Sequence, residues 1–395
     1  MPTSVKFIHS EMTGAPVMSG TAGALIAVLN ACLIDGFGTG TLDSLVIASS
    51  VATATRSGGH PFEVGTVGTI AGITGGAAAL NGERKVVSVT PTTYTFDATG
   101  VSDQTATGTI THKVAPLATW TKPFTGTNLA AYKSTDAAGT GMYLRVNDAD
   151  AREARIIGYE TMSDMNTGTG DFPTNAQQAG GLYVTRSTTA NSTARSWILC
   201  GDSRVFYIAI AFNTAVPGTG YETFGFGDLV PTLTGDDYGA FIAGKSLTGV
   251  SGAPSSSTCL SYSEGVSPAN GFYGPRAYTG VGSSISYKKS APMVANFSAS
   301  SIQSGSNAHG LVYPNGPNGG LYVAPLNVMD DATDNFRGVV AGLYHFPQKV
   351  WASASLASKD TLTGVTGLSG KTLRVVSAST TQSAGYAFET TGPWR

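Results

Sequence analysis

"VATATRSGGHPFEVGTVGTIAG" occupies residues 51–72, and the fold turns on whether its glycines cradle a ligand or bend a chain. Val51, Thr53 and Thr55 alternate with Ala52 and Ala54, the period of two expected of a strand. "GTVGTIAG" (65–72) reads as a second strand. Between the two runs Gly58, Gly59 and Pro61 are turn residues with fixed backbone demands, so His60 reads as a turn residue as well. A phosphate-binding loop needs a helix directly after its glycines, because the first amides of that helix hold the anion. No helical pattern follows Gly59. The stretch is a bend between strands.

The texture continues outward on both sides. "SLVIA" (44–48), "ERKVVSVT" (83–90), "TYTF" (93–96) and "ATGTITHKV" (106–114) are further short strands, and Asn-Gly within "LNGER" (80–84) signals a hairpin. Ahead of them, "AGALIAVLNACLIDGF" (22–37) is the longest apolar stretch. Leu25, Ile26, Val28, Leu29, Cys32 and Leu33 fall at spacings of three and four, which predicts one amphipathic helix. Ser19 or Thr21 would cap its start and Gly36 would end it. It is too short to span a bilayer, which takes about 20 residues, so it packs on a β-domain. The opening "MPTSVKFIHSEMTGAPVMSG" lacks the apolar core of a signal peptide.

From 116 onward the chain reads as a larger β-rich body. "GMYLRVNDA" (141–149), "EARIIGYETM" (153–162), "YGAFIAG" (238–244), "GVVAGLYHF" (338–346) and "GYAFET" (385–390) are strand candidates. "WILCGDSRVFYIAIAF" (197–212) reads as a hairpin around a Gly-Asp-Ser turn. No repeat of fixed period is present. The expected fold class is therefore mainly β. An N-terminal segment (1–41) carries the helix, a small β-sandwich-like module follows (42–115), and a larger β-sandwich or jelly-roll-like body (116–395), with room for two subdomains, completes it.

Only 12% of the 395 residues are charged, against about 25% in ordinary soluble domains. The hydrophobic share of 41% is too high for a disordered chain. The surface must then be covered by uncharged Thr, Ser, Asn and Gly, or be buried against other subunits. The net charge of −2 supplies no footprint for nucleic acid, and the basic pair in "YKKS" (287–290) reads as a solvated strand end. Cys32, Cys200 and Cys259, odd in number and widely spaced, form neither a disulfide framework nor a zinc site. They read as small apolar residues of reduced protein, as in a cytoplasm.

The order "VATATRSGGHPFEVGTVGTIAGITG…LNGERKVVSVTPTTYTFDATG" resembles a small β-sandwich module found on bacteriophage tail and baseplate proteins, in which a Gly-His turn leads into a "VGD.V.I.G" strand and then "LNG…V..VT.T.F.F". Thr66 departs from it, standing where that pattern has an acidic or polar turn residue. The segment "GAPVMSGTAGALIAVLNACLIDGFGTGTLDSL" (14–45) and the end "YAFETTGPWR" (386–395) are similar to virion proteins of tailed phages. The resemblance implies a structural virion subunit, assembled in a host cytoplasm and placed in the tail tip or baseplate. Its partners would be copies of itself in a trimer or ring, and other virion proteins. A receptor-binding or glycan-cleaving tip protein that touches a host surface glycan is the second expectation, and a capsid decoration or minor capsid protein the third. Neither a cofactor, nor nucleic acid, nor membrane insertion is expected.

Several motifs compete with that reading. "GAFIAGKS" (239–246) matches the P-loop pattern, which would put Lys245 on phosphates and Ser246 on Mg²⁺. Asp236 and Asp237 before it would repel polyphosphate, Phe241 and Ile242 are bulky, and the sequence after Ser246 is not helical. No G-x-S-x-G elbow occurs, and His9, His60, His112, His309 and His345 lie far apart. A glycosidase needs two facing carboxyls about 5–10 Å apart. Candidates are Asp148, Asp150, Asp228, Asp330, Asp331 and Asp334, all in turn-like contexts, and Asp330–Asn335 would also suit a structural ion. "NGFYGPRAYTG" (270–280) is the expected exposed aromatic patch, with Tyr273, Arg276 and Tyr278 suited either to a glycan or to a subunit contact.

Overall fold

A computed structural model of the chain describes residues 3–213, 221–246, 260, 271–290, 312–348, 356–377 and 385–395. Strand makes up 44% and helix 6%, so the chain is mainly β, as the alternation predicts.

The small sandwich is an antiparallel sheet that curls on itself. Its strands lie in the order Phe37–Thr41, Thr111–Val114, Val67–Ala71, Gly82–Val89, Thr93–Asp97, Val51–Thr55, Ser44–Ala48 and Gln104–Thr105. Leu45, Ile47, Ala52, Phe62, Tyr94 and Phe96 point inward and are buried, while Val46, Thr53 and Thr95 point out. The bend at His60 is tied down by its own ring. Nδ1 accepts the Phe62 amide (3.2 Å), and Nε2 reaches the carbonyls of Thr90 (2.8 Å) and Thr93 (3.0 Å). The expected Asn-Gly hairpin takes a different form. Val67–Ala71 and Gly82–Val89 do pair, but a 3₁₀ turn over Gly75–Leu80 joins them. Asn81 is extended and uses its side chain to bridge back, accepting from Ile73 N (3.0 Å) and donating to Ile73 O (2.8 Å).

The helix corrects the sequence reading in two ways. It is α-helical over Ala24–Leu29 and then widens to a π-turn over Asn30–Asp35, where Gly36 N–H reaches Ala31 O (2.8 Å). The Cys32 carbonyl, which an α-turn would use, accepts Leu117 N–H instead (2.8 Å). Widening keeps Cys32 and Leu33 on the same buried side as Leu25, Val28 and Leu29. Neither Ser19 nor Thr21 caps the start; their hydroxyls bond each other (2.8 Å). The cap comes from far along the chain, where Asp148 Oδ2 accepts Ile26 N–H (3.1 Å). Gly36, at φ 72°, ends the element as expected.

The body is built on one large antiparallel sheet faced by a smaller one. Lys6–His9 forms an edge, pairing with Ser196–Gly201 in the register Lys6 to Gly201. Ser196–Gly201 and Val205–Ala211 make the expected hairpin, and Glu222–Asp228 and Ala240–Ala243 continue the sheet. These central strands are buried on both faces. Trp197, Leu199, Phe206 and Ile208 join the core that holds the helix and the five-stranded sheet running from Trp120–Gly126 to Leu182–Thr185. Ile198, Cys200, Val205 and Tyr207 point the other way, onto Val328, Leu343 and Phe388 from the far half of the same sheet. That far half comprises Ile285–Ser290, Ala324–Asp330, Phe336–His345, Gly385–Glu389 and Leu373–Ser377. Each buried Leu, Ile, Val or Phe contributes about 1.5–3 kcal/mol, so the doubly covered strands anchor the molecule. No helix among the described residues is long and apolar enough to cross a membrane.

Candidate functional site

The P-loop match is dismantled by the sheet. Phe241 and Ile242 belong to strand Ala240–Ala243, paired on one side with Gly225–Asp228 and on the other with Phe272 and Tyr273. Lys245 is buried, with its ammonium 3.4 Å from Glu222 Oε1 and its backbone bridged to Tyr183. Burial, only partly offset by that ammonium, pushes the Glu222 carboxyl up to about 7. Lys245 therefore balances an interior acid rather than facing a ligand. The segment following Ser246, Cys259 and His309 lie outside the described residues. Cys32 and Cys200 are buried free thiols.

The carboxylates expected in turns are largely occupied by neighbours. Asp148 and Arg186 form a fully buried pair (2.8 Å), and Arg186 also donates to the carbonyls of Ser19, Thr21 and Asp150. Asp148 is thus a helix cap, not a turn residue. Asp150 caps its own turn through the amides of Arg152 (2.7 Å) and Glu153 (3.0 Å). Asp330 faces Arg337 (3.5 Å) and Asp334 faces Lys288, so protein cations hold the expected ion-binding turn. Among the described residues no group of three or more His, Cys, Asp or Glu gathers as a metal site would. Asp331 follows Asp330 in that turn and its amide bonds Ser286 O (3.0 Å).

Two clefts meet at one loop end of the body, and Asp236 lines both. The first, about 240 Å³, mixes Leu229, Val230 and Pro231 with Thr140, Arg204, Asp228 and Arg395 in its wall. Asp228 accepts the Thr140 amide (3.0 Å) and hydroxyl (2.5 Å), while burial raises its carboxyl above the ordinary range. Arg395 bonds Asp202 (2.8 Å) and the Asp228 carbonyl (2.8 Å). Donors and acceptors here satisfy one another.

The second cleft, about 280 Å³, has a different lining: Leu233, Tyr278 and Phe336, with Thr232, Asn335 and Asp236 between them. Its floor is Arg337, which is 2% exposed. Arg337 donates to Asp236 Oδ2 (2.8 Å) and to the carbonyls of Tyr238 (3.2 Å) and Arg276 (3.0 Å), tying two loops to its own strand. Arg276 holds the rim through two 2.6 Å bonds to Glu160 and a bond to Gly280 O (3.1 Å), and lies over the Tyr238 ring at 4.9 Å.

The expected aromatic patch is corrected accordingly. Tyr273 is 4% exposed and packs in the main core, because its register between Ile242 and Ser286 turns the ring inward. Arg276 is spent on Glu160. Tyr278, 47% exposed, is the member of the three that reaches a cleft, and its counterpart there is Phe336, also 47% exposed. Phe336 carries no local signal, since it adjoins the turn at Asp330–Asn335 and meets Tyr278 only through the sheet.

A third cleft, about 420 Å³, lies where the small sandwich meets the body, lined by Phe7, Lys85 and several threonines including Thr361 and Thr390. Ion pairs cross this junction, Lys6–Glu83 (2.6 Å) and Arg374–Glu63 (3.2 Å), and His9 Nε2 lies 3.0 Å from Glu63 Oε1. Lys85 donates to Thr390 O (2.8 Å). These contacts dock the small sandwich on the body. No family model matches this sequence, and no curated protein matches it either.

Proposed function

We propose that the chain is a structural subunit of a tailed-bacteriophage particle, in the tail tip or baseplate, acting by packing against copies of itself and other virion proteins. The sequence resemblance suggests the setting. The observation that carries the assembly role is the outer face of the small sandwich. Across it, Thr105, Val46, Thr53, Thr95 and Ser88 form one row in register, with Ala48 and Val51 beside it. Val46 is 42% exposed and Val51 43%. Among the outward residues of these rows Asp97 alone is ionised. A β-branched, nearly uncharged sheet face suits contact with protein better than contact with water. Assembly would use this face rather than strand edges, because the sheet's own margins are the two-residue strand Gln104–Thr105 and the bulged strand Phe37–Thr41. Contacts of this kind close into symmetric rings or trimers.

Light scattering on the size-fractionated chain tests the reading. The wild type is expected to form a closed homo-oligomer, and Val46→Lys with Thr95→Lys is expected to release monomers of unchanged circular dichroism. A wild type that stays monomeric at high concentration would overturn the assembly role. Immunogold labelling of particles is expected at the tail tip; particles that carry no label would overturn the virion assignment.

A further inference from the structure

We propose that the cleft between Tyr278 and Phe336 binds a neutral carbohydrate, a function separate from subunit packing. Three apolar side chains, Leu233, Tyr278 and Phe336, stand 47–49% exposed around one depression. They are not on slack loops. Thr232 is bonded to Phe336 O (2.9 Å) and Arg337 O (3.0 Å), Asp236 Oδ1 accepts Tyr238 N–H (3.1 Å), and Arg276 clamps Gly280 O (3.1 Å). Apolar groups held open to water by a hydrogen-bonded frame are pre-organised for a ligand.

The chemistry of the lining selects the ligand class. The cations nearest the cleft are committed, Arg337 to Asp236 and Asp330 and Arg276 to Glu160, so a phosphate or an acidic group would meet no uncommitted cation at these arginines. What remains is aromatic face plus the amide of Asn335 and the hydroxyl of Tyr278. A pyranose has the matching surface, an apolar C–H face and a rim of hydroxyls. The volume of about 280 Å³ falls just short of the about 300 Å³ at which drug-sized ligand pockets begin, room for a single sugar ring rather than a longer ligand. A protein partner fits less well, because a stable interface buries about 800 Å² on each side and this cleft offers three apolar side chains.

Saturation-transfer NMR on the intact chain tests the proposal. The probes are methyl glycosides of glucose, galactose, mannose, N-acetylglucosamine and N-acetylgalactosamine, the disaccharides maltose, lactose and chitobiose, and glucuronic acid as a charged comparator. At least one neutral sugar is expected to receive saturation on its C–H face. Tyr278→Ala and Phe336→Ala are each expected to weaken it by about tenfold, whereas Tyr278→Phe retains most of the affinity. Both rings are half exposed, so the variants are expected to keep the wild-type melting temperature. Transfer to none of the neutral sugars, binding confined to glucuronic acid, or affinity unchanged in both alanine variants would each overturn the assignment. So would an alanine variant that changes oligomeric state while leaving sugar binding intact.

Discussion

Arg337→Met is the sharpest test of how the loop end is held. The guanidinium is 2% exposed and serves four acceptors: the carboxylates of Asp236 (2.8 Å) and Asp330 (3.5 Å), and the carbonyls of Tyr238 (3.2 Å) and Arg276 (3.0 Å). Methionine fills much of the space but returns none of these bonds. Removing one partner of a buried ion pair costs about 3–5 kcal/mol, because the other charge is left without compensation. Two carboxylates and two carbonyls are stranded here, so the expected loss is near about 5 kcal/mol at neutral pH. Asp330 makes the loss depend on pH. Burial already holds its carboxyl above the ordinary range, and Arg337 pulls it down. Without Arg337 the carboxyl rises further. A carboxyl whose folded pKa exceeds its unfolded value takes up a proton on folding, so the stability it lends is full at low pH and is lost as pH rises. The gap between variant and wild type is therefore expected to widen from pH 4 to pH 7. Urea unfolding followed by the buried Trp120 and Trp197 measures it, and hydrogen exchange at 232–238 and 276–280 shows where the protein loosens first. A neutral-pH loss under about 1 kcal/mol, or a gap that does not change with pH, would refute the account of Arg337 as a buried counter-ion.

Two further outcomes are expected. Burial, then Lys289, lowers His345 to about 3, and burial, then Arg56 and His60, lowers His112 to about 4. Each is neutral when folded, so each withdraws stability as pH falls from about 6.5, by up to about 1.4 kcal/mol per pH unit. His345→Gln and His112→Gln should flatten the acid limb of a stability profile, and an unchanged limb would contradict their burial. Burial also raises the thiols of Cys32 and Cys200, so iodoacetamide should leave both unmodified in native protein and label both in urea, as read by peptide mass spectrometry. Native labelling of either would show that its core opens.

Local rules made most of the small sandwich legible, because strands such as Ser44–Ala48, Val51–Thr55 and Thr93–Asp97 show their period within a few residues and His60 sits among turn formers, whereas the two-residue strand Gln104–Thr105 has no period to show. The hairpin at Ser196–Gly201 and Val205–Ala211 was legible from its Gly-Asp-Ser turn between two apolar runs, since strands buried on both faces show no alternation. The helix was legible as an apolar stripe. Its π-turn was not, because that depends on Leu117 claiming the Cys32 carbonyl. Its cap was hidden too, since Asp148 reads locally as one more aspartate in a turn. The second cleft was half visible. Tyr278 stood out in an aromatic segment, but the burial of Tyr273 and the arrival of Phe336 are set by strand register, which spacing does not encode.

The edge strand Lys6–His9 has a bearing on how the molecule comes into being. A ribosome makes it ahead of the sandwich, yet its hydrogen-bonding neighbour, Ser196–Gly201, is made only after the whole eight-stranded sandwich and the five-stranded sheet. The sandwich closes on contacts within residues 37–114, so it can fold while this first strand waits unpaired. Pairing across so long a stretch of chain is slow. Nascent chains paused before residue 196 should therefore present a finished sandwich flanked by an unpaired strand, the species on which a chaperone would act.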